Sequence, residues 1–415
     1  MTAEIAIINR SGIAVAADSA ATIGRKKVWK SANKLFSMGP IHDVGIMFYG
    51  SADLFGCHWE IIVKLFRQHC KNIKFEKLSE FAKEFIDFIS SDKWFDSEAT
   101  EISSAHIIAL AIEHINEGIG YESVMEFRQE IKRESKELIE AIAENDQIIS
   151  VSKTDFIQNH EKIIKKFSEE ILGQKIVNTI LKPIQDYVYE FFIRKGCRSG
   201  FETGIVIFGY GDEEIFPSIC EYVVDGCCCG NLRYWANRSM NLNDRSRKGA
   251  IIPFAQADVA TTFVEGISSF YQGFFKYVFN AALEAKDDDF IAEFVPDDQK
   301  VVEKSLRNKE NQALNEELKV ALKAVTREEF VNPVAESVHS LPRDEMAAMA
   351  EALVDLTSMR RKVDSNLDTV GGAVDVAVIS KGEGFVWIKR KTYFDATLNP
   401  DYLERRRIRL GQGEP

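Results

Sequence analysis

The chain has 415 residues, enough for two or three domains of average size, and its hydrophobic fraction of 45% is ample for a buried core. Its 52 Lys and Arg residues against 64 Asp and Glu residues give a net charge of −12, which argues against general nucleic-acid binding and gives no signal for a membrane surface. Seven cysteines, an odd number, do not indicate a disulfide framework. Because the start of the chain lacks a basic leader and no apolar run reaches the ~18 residues of a membrane span, we expect a reduced, cytoplasmic protein.

The first part of the chain has the pattern of paired strands followed by a helix. Residues 3–10 and 12–18 predict two short strands joined by a turn, and residues 34–37 and 43–49 predict two more. Apolar side chains then recur at helical spacing over 54–69. This order indicates an α+β fold.

Residues 75–200 differ from the rest because helical patterns dominate and no catalytic motif occurs among them. Charged residues cover 124–146 at the spacing of an exposed, ion-paired helix face, and helical spacing continues over 163–195. We interpret this region as a helical insertion that serves as a cap or an assembly surface.

Beyond residue 200, strands and helices alternate in longer blocks. Residues 203–208 and 215–224 predict a β-hairpin, with a third strand at 232–235. Residues 251–285 predict one helix that ends in solvent at Asp287. The predicted segments are the N-terminal part (1–74), the helical insertion (75–200), middle strands and a helix (201–295), a charged helical connection (296–340), a C-terminal helix with strands (341–391) and a polar tail (392–415).

Thr2, Asp18 and Lys34 follow one another at intervals of sixteen residues and can form one chemical unit. Removal of Met1 makes Thr2 the first residue, whose hydroxyl is a nucleophile and whose α-amine, with an unperturbed pKa of about 7.7–8, is a base near neutral pH. A nearby Lys34 ammonium would lower the pKa of that amine by like-charge repulsion, and Asp18 would hold the lysine in place. The set predicts an N-terminal nucleophile.

The residues around this set resemble a proteasome β-type subunit or the bacterial HslV peptidase. The resemblance implies a four-layer αββα sandwich of the N-terminal-nucleophile (Ntn) hydrolase superfamily, here with an enlarged helical insertion. It is carried by the stretches 1–6, 12–22, 34–36, 50–53 and 370–379.

The resemblance also implies roles for single residues. It makes Thr2 the nucleophile, Asp18 and Lys34 its catalytic partners, the Gly50 N–H the oxyanion donor, and the backbones of Thr22 and Ala52 contacts to an extended substrate.

Two positions depart from the family pattern. Val370 and Leu367 stand where a Ser and an Asp would help to position the terminal amine, and Gln256 is the nearest candidate for a missing hydrogen-bond donor.

Other chemistries find little support in the sequence. The run Cys227, Cys228, Cys229 lacks C-x-x-C spacing and has no nearby histidine, so we expect no zinc site. No H-E-x-x-H motif and no G-x-x-x-x-G-K-[ST] motif occurs, so we expect no metal, no cofactor and no ATPase activity in the chain itself.

Together these patterns predict a proteasome-like threonine peptidase that cleaves peptide or protein substrates without nucleic-acid or membrane partners. The apolar stretch 263–279 favours a homo-oligomer, such as a ring, and a separate ATPase unfoldase is a candidate partner. Two alternatives stay open. One is an amidase of the same superfamily acting on small molecules, and the other is a catalytically silent scaffold that keeps the fold for ring assembly.

Overall fold

The computed structural model describes residues 2–23, 27–29, 32–94, 97–118, 123–141, 147–195, 198–244, 248–363, 371–392, 394–395, 398–399 and 401–402. It divides into two compact units. The first takes its residues from Met1–Ala32, Asp244–Ser380 and Val386–Glu404, and the second from Asn33–Asn243, Lys381–Phe385 and Arg405–Pro415.

The strands of the described residues are, in chain order, β1 (Ala3–Asn9), β2 (Gly12–Ala17), β3 (Ala21–Ile23), β4 (Lys27–Trp29), β5 (Leu35–Ser37), β6 (Val44–Gly50), β7 (Asp53–Leu54), β8 (Cys57–His58), β9 (Thr203–Gly209), β10 (Ser218–Cys228), β11 (Asn231–Asn241), β12 (Gly249–Ala255), β13 (Asp375–Ser380) and β14 (Gly384–Lys389). The α-helices are α1 (Trp59–His69), α2 (Leu78–Ile89), α3 (Ser97–Gly118), α4 (Val124–Ala141), α5 (Lys153–Leu172), α6 (Gln174–Ile193), α7 (Asp258–Glu265), α8 (Ser269–Phe294), α9 (Lys300–Thr326), α10 (Asn332–Ser340) and α11 (Arg343–Val363).

The first unit is built on a five-stranded sheet in the order β12-β1-β2-β13-β14, with antiparallel pairing from β12 to β13. Strands β1 and β2 are buried along their whole length because Ile, Val and Ala occupy almost every position, as the sequence predicts. Helix α11 covers the sheet with Met346, Ala350 and Val354, which belong to the same buried cluster as Ile5 and Ala16.

The second unit contains another antiparallel five-stranded sheet, in the order β11-β10-β9-β6-β5. Its β9–β10 pair confirms the predicted hairpin. Phenylalanines of α1 and α2, among them Phe66, Phe81 and Phe85, form one buried cluster with this sheet. Helices α3–α6 enclose a separate buried cluster that includes Cys228 at the end of β10. The fold is therefore α+β with two antiparallel sheets and a large helical region.

The predicted single helix over 251–285 is wrong in three respects. Residues 249–255 form β12, in which Pro253 is tolerated because β12 is the edge strand of its sheet and one side of it needs no backbone donor. The rest forms two helices, because α7 ends at Glu265 where Gly266 adopts φ of +70°. Helix α8 does not end at Asp287 but continues to Phe294, and Asp287 is paired with Arg307 of the antiparallel neighbour α9 at 2.8 Å.

The predicted helix over 54–69 begins later than expected. Residues 53–58 form the short hairpin β7–β8, whose turn places Phe55 and Gly56 at positive φ, and the helix starts at Trp59.

Within the described part of the chain, no helix combines the length and the apolar character that crossing a membrane requires.

Candidate functional site

Thr2 lies directly before β1 and is nearly buried, with 5% of its surface exposed. Its carbonyl oxygen accepts a hydrogen bond from the Gln256 N–H at 3.0 Å, which extends the β1–β12 pairing by one step beyond Ala3 and Ala255. The backbone of Thr2 is thus fixed on the β12 side. Gln256 contributes here through its main chain, whereas the sequence suggested a hydrogen-bond donor without indicating which group.

Asp18 fixes the same end of the sheet from the β2 side. It is completely buried, and its Oδ1 accepts a hydrogen bond from the Ala3 N–H at 3.2 Å while its own N–H donates to the Ala3 carbonyl at 3.1 Å. Its second carboxylate oxygen, Oδ2, accepts the Gly371 N–H at 2.9 Å. Asp18 therefore joins the start of β1, the end of β2 and the segment that leads into β13.

Two further residues of this region, Ser19 and Gly371, were not assigned a role from the sequence. The Ser19 hydroxyl donates to the Ala373 carbonyl, and the Ser19 carbonyl accepts the Ala32 N–H at 3.0 Å. Gly371 adopts φ of +141°, a conformation that favours glycine. The Asp-Ser pair that follows an apolar strand was the available signal, but two of its partners, Gly371 and Ala373, lie more than 350 residues away in sequence.

Thr22 lies in the two-stranded sheet β3–β4, where its backbone is opposite Val28. The extended backbone at this position is what pairing with an extended substrate would need.

Lys34 and Gly50 belong to the second unit, where they occupy the same end of the β5–β6 pair. The Lys34 carbonyl accepts the Phe48 N–H at 3.0 Å, and Gly50 follows two residues later as the last residue of β6. Lys34 is 7% exposed, so the packing of neighbouring residues restricts the position of its side chain.

Gly50 is required by the backbone itself. It has φ of +88°, and a Cβ atom there would lie 2.1 Å from the Glu202 carbonyl oxygen of the loop before β9. Ala52 lies in the exposed turn that follows, with its carbonyl accepting the Trp59 N–H at 3.4 Å. A glycine at position 50 is therefore explained by sterics alone.

The structure thus brings the predicted residues together in two sets. Thr2 and Asp18 meet at one end of the first sheet, and Lys34 and Gly50 meet at one end of the second. Leu367 and Val370, which depart from the family pattern, lie outside the described residues.

Folding brings a histidine to the cysteine run. Although no histidine is near it in sequence, a ring nitrogen of His160 and the sulfur atoms of Cys228 and Cys229 all lie within 4.8 Å of one another. Sequence spacing could not show this because helix α5 is brought to the end of β10 only by folding.

Comparisons with known proteins give structural matches alone. No model of a known protein family matches the sequence, and no curated protein matches it. Among solved structures, the match to Anbu (ancestral beta-subunit) from Yersinia bercovieri covers 100% of this chain and 98% of that one, with 10% identity and a TM-score of 0.32. The chain is similar to Anbu proteins.

Two further Anbu structures match over the same extent. A Gly-1 mutant of Anbu from Hyphomicrobium sp. strain MC1 has 9% identity and a TM-score of 0.33, with 100% of this chain and 99% of that one covered. The helical assembly of the Anbu complex from Pseudomonas aeruginosa has 9% identity and a TM-score of 0.29, with 100% and 97% covered.

Proposed function

We propose that the protein is a threonine hydrolase that uses Thr2 as an N-terminal nucleophile to cleave peptide or amide bonds, in an Ntn-type αββα sandwich. The observation that carries the proposal is the fixed backbone at the start of β1. Thr2 is held through its carbonyl by Gln256, and the next residue is held through both backbone groups by Asp18. A nucleophile is effective when its position is set in advance, and this backbone is set from both neighbouring strands.

The chemistry follows from the terminal threonine. After Met1 is removed, the Thr2 amine accepts the proton of its own hydroxyl, directly or through a water molecule, and Oγ1 attacks the substrate carbonyl carbon. The proton then passes to the leaving amine, and water hydrolyses the Thr2 ester to regenerate the enzyme. The proposal further requires the Gly50 N–H to donate to the oxyanion and the Lys34 ammonium to lower the pKa of the amine.

The test joins intact-mass measurement to turnover. We expect the purified protein to begin at Thr2, and we expect a fluorogenic peptide or a small amide to be cleaved by wild type and by Thr2→Ser, which keeps a hydroxyl. Thr2→Ala removes the nucleophile and should abolish turnover, while Thr179→Ala, at an exposed threonine of α6, should leave turnover unchanged.

Two results would contradict the proposal. One is turnover by Thr2→Ala within about tenfold of wild type, because a lost nucleophile should cost far more than the ~1.4 kcal/mol of that factor. The other is active protein in which Met1 is fully retained. Comparing casein with small amides then separates a peptidase from a small-molecule amidase.

We also propose that the protein is a homo-oligomer. Helix α8 exposes large side chains to solvent, with Phe270 at 75%, Tyr277 at 70% and Phe274 at 53%. Monomeric proteins rarely expose contiguous apolar surface of this kind, and a second copy of the chain is the simplest partner that would cover it.

A further inference from the structure

Three residues from two elements of the second unit form a compact group of metal-ligating atoms. His160 lies on α5 and is 7% exposed, and Cys228 is the fully buried last residue of β10. Cys229 follows in the turn to β11 and is partly exposed. One ring nitrogen of His160 and the two sulfur atoms lie within 4.8 Å of one another, and the two sulfur atoms are 3.5 Å apart. We call this group the His160–Cys228–Cys229 cluster.

The hydrogen bond of the histidine ring determines which nitrogen is available to a metal. Nδ1 lies 2.8 Å from the Phe156 carbonyl oxygen, and because a carbonyl only accepts, Nδ1 must carry the proton and donate. The lone pair is therefore on Nε2. A neutral ring in this tautomer can ligate a metal through Nε2. A metal-bound histidine usually has this arrangement, with its other nitrogen held by a carbonyl or carboxylate.

The distances suit a tetrahedral zinc ion after small side-chain movements. With Zn–S bonds of ~2.3 Å and a Zn–N bond of ~2.0–2.1 Å, ligand sulfurs should be about 3.8 Å apart, and the nitrogen should be about 3.6 Å from each sulfur. The observed sulfur separation of 3.5 Å is close to the first value. The limit of 4.8 Å on the other separations leaves an adjustment of about 1 Å, which side-chain torsions can supply.

The charge balance also favours a divalent ion. Two thiolates and a neutral imidazole around a dication sum to zero, so the complex needs no counter-ion in a buried position. A dication supplies the opposite charge that a thiolate needs there. Asn159 places its side-chain nitrogen 3.6 Å from the Cys229 sulfur, where it can stabilise that ligand as an outer-shell donor.

We propose that the chain binds one Zn²⁺ through Nε2 of His160 and the thiolates of Cys228 and Cys229, with water as the fourth ligand. Binding replaces two S–H bonds by two Zn–S bonds and releases two protons to solvent, with no change of oxidation state. The ion joins helix α5 to the β10–β11 turn, and the partly exposed Cys229 gives it access. Its role is to fasten the helical region to the second sheet, independently of the proposed hydrolysis.

The experiment uses the full chain, purified under reducing conditions, stripped with a chelator, and supplied with Zn²⁺ alone. We expect one tightly held zinc per chain by elemental analysis after desalting, a rise in Tm on adding Zn²⁺, and a thiolate-to-metal charge-transfer band when Co²⁺ replaces it. Cys57→Ser, at a free cysteine outside the cluster, is the matched control and should behave as wild type.

Two variants remove one ligand each. Cys229→Ser replaces a sulfur with a hydroxyl at the partly exposed position. His160→Asn deletes Nε2 but keeps an amide N–H that can donate to the Phe156 carbonyl, so the helix contact survives. Both should weaken Zn²⁺ binding by more than about 100-fold, because changes in outer-shell partners already cost about 10–100-fold.

If a variant fails to fold, the measurements on the wild-type protein alone still test the proposal. A wild-type protein that shows no rise in Tm with Zn²⁺ overturns the proposal. So does zinc uptake equal to that of folded Cys229→Ser, or a Co²⁺ spectrum without a thiolate band. The proposal is also overturned if the wild-type protein, purified under the same reducing conditions, contains a Cys228–Cys229 disulfide in every chain.

Discussion

The Asp18 carboxylate accepts the Gly371 N–H at 2.9 Å, although the two residues are 353 positions apart in sequence. The other carboxylate oxygen holds the Ala3 N–H next to Thr2. One buried side chain therefore fixes the residue that follows the proposed nucleophile and the glycine segment that leads into β13. Positioning of the Thr2 backbone and stability of the first sheet should depend on the same residue.

We expect Asp18→Asn and Asp18→Ala to destabilise the protein. Alanine leaves two buried N–H donors without these acceptors, at about 1–3 kcal/mol each, and asparagine has only one oxygen to serve two donors on opposite sides. Urea unfolding should show losses of about 2–4 kcal/mol for alanine and about 1–3 kcal/mol for asparagine. Asp212→Asn, at an exposed turn, should change stability by less than about 0.5 kcal/mol. Equal stability of the two asparagine variants would show that the Asp18 contacts contribute little.

Lys34 is expected to act on turnover through its charge. Under the proposed mechanism, removing the Lys34 charge lets the pKa of the Thr2 amine rise towards its unperturbed value of about 8, so more of the amine is protonated and inactive at pH 7. Turnover by Lys34→Met should therefore fall at neutral pH and partly recover as the pH is raised above about 8. Lys34→Arg keeps a charge and should be impaired less.

The measurement is a pH–rate profile of the three proteins on one fluorogenic peptide. Methionine is preferred to alanine because Lys34 is 7% exposed and its aliphatic stem contributes to packing. Three superimposable profiles would remove Lys34 from the mechanism.

Arg233 and Asp225 form a fully buried ion pair between neighbouring strands β10 and β11. Arg233 also donates to the Phe192 carbonyl at 2.8 Å and the Arg194 carbonyl at 3.1 Å, at the C-terminal end of α6. Asp225 accepts the Ser199 N–H at 3.1 Å. Burial nevertheless raises the pKa of Asp225, because desolvation outweighs the attraction of the arginine.

We expect Arg233→Met to cost about 3–5 kcal/mol, because it leaves the Asp225 carboxylate buried without its cation. Adding Asp225→Asn removes that charge and should recover part of the loss, so the double variant should be less destabilised than the sum of the two single variants. Equilibrium denaturation of the four proteins in a double-mutant cycle measures this coupling. Strictly additive losses would mean that the two side chains act independently.

The exposed side chains of α8 are expected to mediate self-association. Phe270 and Phe274 stack with ring centroids 6.3 Å apart on the solvent side, so replacing both by serine removes a continuous aromatic surface. Light scattering should show wild type above the monomer mass and the double variant shifted towards it. Asn280→Ser, also exposed on α8, should leave the mass unchanged. A wild type that is monomeric at micromolar concentration contradicts the proposal.

Local sequence pattern was sufficient to predict elements whose burial follows from their own residues. Strands β1 and β2 are continuous runs of Ile, Val and Ala that can be stable only inside a sheet, and the hairpin β9–β10 follows from two apolar runs around a glycine turn. Strand β12 was mispredicted as part of a helix over 251–285. Pro253 disfavours both the interior of a helix and a central strand, and it can lie in β12 only because β12 is at the edge of its sheet.

The sequence by itself determined the α+β class, the strand pairs at the start of the chain and the residue types available for chemistry. Tertiary structure decided which of them meet. Asp18 reaches Gly371, and His160 reaches Cys228 and Cys229, only after strands and helices distant in sequence have packed together. The physical reason is that hydrophobic periodicity encodes which face of a helix or strand is buried. A hydrogen bond or a metal-ligand bond also depends on the position of its partner, which periodicity does not specify.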